Sequence, residues 1–357
     1  MKKIYSLITI TFLTALTFSA KAQSDGGISD LFKGSPSDVN KLMNAYTTPL
    51  FKGFGNSLNG GWTNTAKTQG LLHFTLRISA TATAIPTKDK TFDINSLGLA
   101  NIKPTDPNQT MAPTFGGDKN MSTGITYTDQ NSGATYKTTL PKGVSQYVPS
   151  GQVQLTVGLV KNTDVTIRFV PTTKISDDVG KVGVFGFGLK HDIIQDFVKK
   201  GPEKPFDLAI AVGYTRLNYT KSLNVQPESG TVVTSGNTDF SNQRLEGHFS
   251  GVNASLILSK KLLFFTPFVS VGYQTSSTDV TLKGNYPFVT GVTPLTNKPS
   301  YTSYADPISI KGSGAGLSGT RADVGFQLSL TILKIYASYG VSSTGYNSAN
   351  LGIGLGF

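Results

Sequence analysis

From Leu72 to Ala84 the chain alternates without a break, with Leu72, Phe74, Leu76, Ile78, Ala80, Ala82 and Ala84 on one parity and His73, Thr75, Arg77, Ser79, Thr81 and Thr83 on the other. Successive side chains of a strand point to opposite faces, so one face of this segment suits hydrocarbon and the other suits water. The same period of two recurs at residues 152–170, 182–190, 206–219, 244–258, 265–282, 321–330 and 335–341. The first of these reads as a hairpin around the turn Lys161-Asn162-Thr163-Asp164. In residues 244–258 the apolar set shifts from Leu245 and Phe249 to Val252, Ala254, Leu256 and Leu258, which we read as a β-bulge. A soluble sandwich also alternates, but its wet face normally carries many Lys and Glu, whereas the polar set here is mostly Thr, Ser, Gln and Gly with single charges. Several runs match the roughly 9 to 11 residues that cross a bilayer at a tilt. The expected fold is all-β, a transmembrane antiparallel β-barrel.

The start of the chain indicates export. Lys2 and Lys3 precede the apolar run from Leu7 to Phe18, and Ala20-Lys21-Ala22 follows, so residues 1–22 read as a secretory signal peptide cleaved after Ala22. Its removal lowers the formal net charge of +11 by the charges of Lys2, Lys3 and Lys21. The remaining cations are scattered rather than massed, which argues against nucleic acid and for water, lipopolysaccharide phosphates or anionic solutes as what they face. The chain contains no Cys, so disulfides, thiolate metal sites and an N-terminal lipid anchor on Cys are excluded. His73, His191 and His248 are too dispersed for a metal motif, and no cofactor is expected.

Residues 23–68 form a polar and then helical lead. Ser37 and Asp38 offer an N-cap, Val39, Leu42, Met43 and Tyr46 fall on one helical face, and beyond the interruption at Pro49 a second stripe follows with Leu50, Phe51, Phe54 and Leu58. The stripes suggest either a plug that enters or caps the periplasmic mouth, with Leu42, Met43, Tyr46, Phe51 and Phe54 as its apolar face, or an N-terminal helix packed under the periplasmic rim. Residues 69–357 form the barrel. Crossings start near residues 70, 146, 163, 180, 205, 241, 263, 318, 333 and 347. Residues 87–145, broken by Pro104, Pro107, Pro113 and Pro141, could add two or four more, so we expect about 12 strands in a range of 10–14. An even number puts both chain ends in the periplasm. Residues 224–240 and 285–317 read as extracellular loops, and residues 190–205 as a helical periplasmic turn.

The last strand ends Asn-Leu-Gly-Ile-Gly-Leu-Gly-Phe, placing Leu351, Ile353, Leu355 and Phe357 on one face. This resembles the C-terminal signature of bacterial outer-membrane barrels and implies recognition by the barrel assembly machinery, with the protein in the outer membrane among its lipids and lipopolysaccharide. The run Gly60-Gly61-Trp62-Thr63-Asn64-Thr65-Ala66-Lys67, with residues 92–99 and 212–217, resembles a family of uncharacterised bacterial outer-membrane barrels. A helical lead before a barrel is also similar in plan to the long-chain fatty-acid transporters, which implies passive transport or binding of small hydrophobic or amphiphilic molecules. The competing class is a structural or surface-interaction barrel.

Enzymatic signals are weak. Gly180, Gly183, Gly186 and Gly188 lie within an alternating strand rather than opening a helix, so they read as lumen-facing small residues and not as a phosphate loop. His248, Ser250 and Asn253 are the nearest approach to a hydrolase constellation, without a nucleophile motif, and no catalytic residue is assigned. On parity, Arg77, Arg168, Asp207, Arg244, Glu246, Arg321 and Asp323 are candidates to line the lumen, either as a selectivity lining or as a salt-bridged filling.

Overall fold

The computed structural model describes residues 34–176, 180–197, 205–293, 296–313 and 317–356. Residues 1–22, read above as a signal peptide, residues 23–33 of the lead and Phe357 lie outside the described residues. Its strands are β1 (Phe74–Ala84), β2 (Tyr147–Leu159), β3 (Thr163–Ser176), β4 (Gly180–Asp192), β5 (Asp207–Ser222), β6 (Arg244–Ser259), β7 (Phe265–Lys283), β8 (Gly319–Leu330), β9 (Leu333–Ser342) and β10 (Ser348–Gly356). Each pairs antiparallel with the next in sequence, and β1 pairs with β10 from Thr75↔Gly356 to Thr83↔Ser348, which closes the barrel. The barrel therefore has ten strands, not twelve. Residues 85–146 contribute none because their strands, such as Ile102–Pro104, Met111–Pro113 and Gly124–Thr128, hold three to five residues and cannot cross a bilayer.

The two ends of the barrel differ. At one, β2–β3 and β8–β9 are joined by tight turns in which Lys161, Asn162 and Thr331 take positive φ. At the other, three long connections fold over the opening. They carry two three-stranded sheets, one of Val232–Ser235, Lys298–Ala305 and Asn285–Thr293, the other of Ile102–Pro104, Gly124–Thr128 and Thr135–Thr139. The β4–β5 connection does contain a helical turn, Ile194–Phe197, at the short-turn end.

The alternation maps onto inside and outside. In β1, Thr75, Arg77, Thr81 and Thr83 are buried in the lumen while Phe74, Leu76 and Ala82 are exposed outward. In β5, Ala209, Ala211, Gly213, Thr215 and Leu217 face in, and Ile210, Val212 and Tyr214 face out. β6 corrects one reading: its register against β5 and β7 runs unbroken from Arg244 to Ser259, so there is no bulge. Leu245 and Phe249 face in while Arg244, Glu246, His248 and Ser250 face out. The parity never slips; the surroundings change. Toward the loop end the outward side chains are polar and the inside is an apolar core, so polarity inverts across the wall.

That core is built around helix α1 (Pro36–Asn59). Ser35, not Ser37, is its N-cap, accepting from the Asp38 amide at 3.3 Å, with Pro36 in the first turn, where its missing N–H costs nothing. The helix runs through Pro49 without a break. Val39, Leu42, Met43 and Tyr46 are buried in one cluster with Ile94, Ile102 and Ile125 from the long connection after β1 and with the wall residues Leu217, Phe249 and Val280. Both Asp38 carboxylate oxygens accept from that connection, from the amides of Ala100 and Asn101, each at 2.9 Å. Tyr346 donates to Asp89 Oδ2 at 2.6 Å, and Lys52 lies 3.3 Å from the same oxygen, tying α1 to the cap. Burial, together with the neighbouring carboxylate, pushes the Tyr346 phenol up, so it stays a donor.

These contacts place the start of α1 at the long-loop end. The position expected for it, at the mouth where the short turns lie, is corrected: α1 occupies the loop-side half of the lumen, and Gly34, packed against Ile102, lies there too. The first and last barrel strands do open and close at the short-turn end, but the described chain begins at the opposite one. The physical reason is that the apolar stripes of α1 find their partners only where the inner wall and the long connections are themselves apolar.

Candidate functional site

Where α1 ends, at the boundary between apolar core and polar lumen, its last carbonyls have no helical partner, and the helix carries no basic residue in its last turn. The barrel wall supplies the donors. Arg168 gives Nη1 to Leu58 O at 2.8 Å and Nη2 to Gly60 O at 2.8 Å, while its Nε donates to Gln154 Oε1 at 3.0 Å. Arg321 reaches Asn56 O at 3.4 Å and is held by Asp323 at 2.7 Å. Gln152 donates to Ser57 O at 3.1 Å and Asn253 to Asn59 O at 2.9 Å. Arg77 donates to the carbonyls of Gly61 and Trp62. Cations and amides thus gather on the negative end of the helix dipole.

Trp62 is seated in this clasp. The Arg168 guanidinium lies 3.7 Å from the centroid of its ring, and Gly188 and Gly213, paired across β4 and β5, leave the slot it fills. A Cβ on either glycine would come within 2.6 Å of the indole. Below Trp62, residues 63–70 run down the inner wall to β1. Gln69 N donates to Asp164 Oδ1 at 2.9 Å, and Lys190 lies 3.0 Å from Asp164 Oδ2 while donating to Lys67 O at 2.8 Å.

Beside this segment the lumen opens into a cup of about 460 Å³, floored by Trp62 and Arg77 and reaching the short-turn rim at His73, Lys261 and Thr331. Its wall is hydroxyl, amide and ammonium, including Thr75, Thr156, Thr166, Gln327 and Ser329.

Of the residues read as lumen-lining, Arg77, Arg168, Arg321 and Asp323 come together at the clasp. Asp207 shares their inward parity but sits at the short-turn end opposite Ser259. Arg244 and Glu246 are corrected: they pair with each other at 2.7 Å on the outer surface, at the loop end of β6 where the inner wall is apolar. His248, Ser250 and Asn253 do not converge. His248 contacts Asn218 Oδ1 and Ser250 contacts Ser277 Oγ on the outside, while Asn253 faces in. Gly180, Gly186 and Gly188 share the inward parity; Gly183 lies on the other, packed against Thr172. Among the described residues, no three His, Asp or Glu side chains lie close enough to hold a metal ion. Trp62, Gln154, Thr215 and Lys190 were missed. The signal was available in Gly188 and Gly213, inward glycines on strands whose outward neighbours are large, which mark space left for something else.

A closed antiparallel ring with an apolar outer belt and a polar lumen is the transmembrane β-barrel class. Within it, the chain belongs to a family of unknown function, DUF6588, whose model matches residues 1–357. Comparison with curated proteins finds no match. Among solved structures the chain is similar to the outer-membrane protease OmpT from Escherichia coli at 10% identity and TM-score 0.34, covering 82% of this chain and 100% of that one. It is similar also to the transport unit of the autotransporter AIDA-I from Escherichia coli, at 9% identity and TM-score 0.33, covering 87% and 98%. A third is Ail, the attachment invasion locus protein of Yersinia pestis, at 9% identity and TM-score 0.27, covering 80% and 100%.

Proposed function

We propose that this is an exported bacterial outer-membrane barrel that is closed at rest, α1 being its resident plug, and that it binds a small hydrophilic solute rather than conducting passively. The observation that carries this is the set of wall contacts on the end of α1, which come from β1, β2, β3, β5, β6, β7 and β8, all round the ring. The hydroxyl and ammonium lining of the cup suits hydrophilic solutes better than the amphiphilic ones implied by a fatty-acid-transporter-like plan. In this reading short turns face the periplasm, as is usual for such barrels, so the cup faces the periplasm and the folded cap faces the exterior. The apolar core of that cap also supports the rival reading, a barrel acting through a rigid outer surface.

Single-channel recording in planar bilayers tests the proposal. Wild-type protein should be silent, and a variant with Leu42→Asp and Phe54→Asp should conduct with its strands intact. Each substitution removes an apolar contact worth on the order of 1.5 to 3 kcal/mol and places a carboxylate in the core of the cap. Steady wild-type conductance, or a double variant as silent and as protease-resistant over residues 36–59 as wild type, would refute the plug.

A further inference from the structure

The cup carries an unbalanced charge. Lys67, Arg77, Lys190, Lys261 and Lys334 line it, and Asp164 is the one carboxylate among its lining residues. Asp164 is already engaged by Lys190 at 3.0 Å and by the Gln69 amide. Arg77 is committed to the Gly61 and Trp62 carbonyls, though its Nε, in a residue only 6% exposed, has no hydrogen-bond partner among the described residues. Lys334 donates to the Thr75 hydroxyl at 2.8 Å, a neutral acceptor. Lys67, Lys261 and Lys334 thus have no carboxylate partner among the described residues. Like charges crowded in a concave, low-dielectric wall repel one another, and an entering anion relieves that repulsion while the walls focus the field on it.

The geometry points to the cup as a binding site for a phosphate-bearing, polyhydroxylated small molecule, such as a sugar phosphate, entering from the short-turn end. Lysine ammonium groups bind phosphate as mobile point charges and do not demand the planar geometry an arginine fork imposes. A dianion matches the excess better than a monoanion. The hydroxyl and amide wall suits a hydroxylated body, and about 460 Å³ lies within the range of small-molecule pockets. The assignment deepens the reading of the lumen as a closed binding vessel, yet binding in the cup can be measured whether or not the barrel conducts.

The single tryptophan of the chain lies at the floor of the cup and reports on it. Full-length protein in detergent is titrated with glucose 6-phosphate, glucose and glucuronate, reading Trp62 emission and the heat of binding. Glucose 6-phosphate should bind and shift the emission; glucose should not bind, and glucuronate should bind more weakly. Combining Lys67→Gln, Lys261→Gln and Lys334→Gln should weaken binding about tenfold or more, as should raising salt to about 0.5 M with wild-type protein, which needs no variant to fold. Absence of binding, equal binding of glucose or glucuronate, or a triple variant that folds and binds like wild type would overturn the assignment.

Discussion

Replacing Arg168 with Ala should undock the end of α1 while leaving the barrel standing. Arg168 is fully buried, and its two 2.8 Å bonds to Leu58 O and Gly60 O are charge-assisted, worth roughly 1.5 to 3 kcal/mol each. Its stack on Trp62 adds about 2 kcal/mol in a desolvated setting. Against these stands a desolvation cost of several kcal/mol for burying the guanidinium, which the Ala variant escapes. The other wall donors, Gln152 and Asn253, remain. A net loss of about 2 kcal/mol follows, roughly a thirtyfold rise in the undocked fraction. Acrylamide, a neutral quencher, measures it: Trp62 is 6% exposed in the docked state and should become quenchable and red-shifted in the variant. Far-UV circular dichroism and heat-modifiability should be unchanged, because every strand pairing is intact. If Trp62 in a folded Arg168→Ala protein is shielded as in wild type, the clasp does not hold the helix and the reasoning fails.

Deleting Phe357, or replacing it with Asp, should lower the yield of heat-modifiable barrel, since it completes the alternating apolar face of Leu351, Ile353 and Leu355; normal assembly of both variants would count against an assembly signal there. Gly53→Val should loosen α1 by about 1 to 3 kcal/mol, because even a Cβ at that position would lie 2.4 Å from Val148 Cγ2 in a packed wall; limited proteolysis of residues 36–59 reads the change.

The ring of strands was legible because period two survives wherever one side of the wall is lipid and the other is a polar lumen. Thr75, Arg77 and Leu76 obey it, and so do Gln152, Gln154 and Leu155. It failed at Leu245 and Phe249, where the outward neighbours Arg244, Glu246 and His248 are polar and the apolar residues turn inward toward α1. A sequence records the polarity of a side chain but not the height at which it stands. The helix itself was legible from Leu42, Met43 and Tyr46, but its end of the barrel was not, since the partners that fix it, Ile102 and Ile125, lie on short strands that carry little periodicity of their own. Arg77, Arg168 and Arg321 were found by parity. That they grip main-chain carbonyls of one segment depends on pairings far apart in sequence.

The β1–β10 seam joins elements from opposite ends of the barrel sequence, whereas every other neighbouring pair along the ring is a hairpin. Residues 36–70 precede β1 and run inside the ring down to the short-turn rim, so closing that seam converts an open, curved sheet with a helix resting on it into a threaded object. Once it is zipped, α1 could reach its seat only end-on, past the lysines of the cup and the slot of Trp62. Insertion sideways, before the seam forms, avoids that passage. The contacts able to hold α1 during the wait are those with Leu217, Phe249 and Val280, on β5 to β7, the part of the ring farthest from the seam. The position of one helix thus leads us to expect an order of assembly, in which it docks first and the first and last strands close behind it.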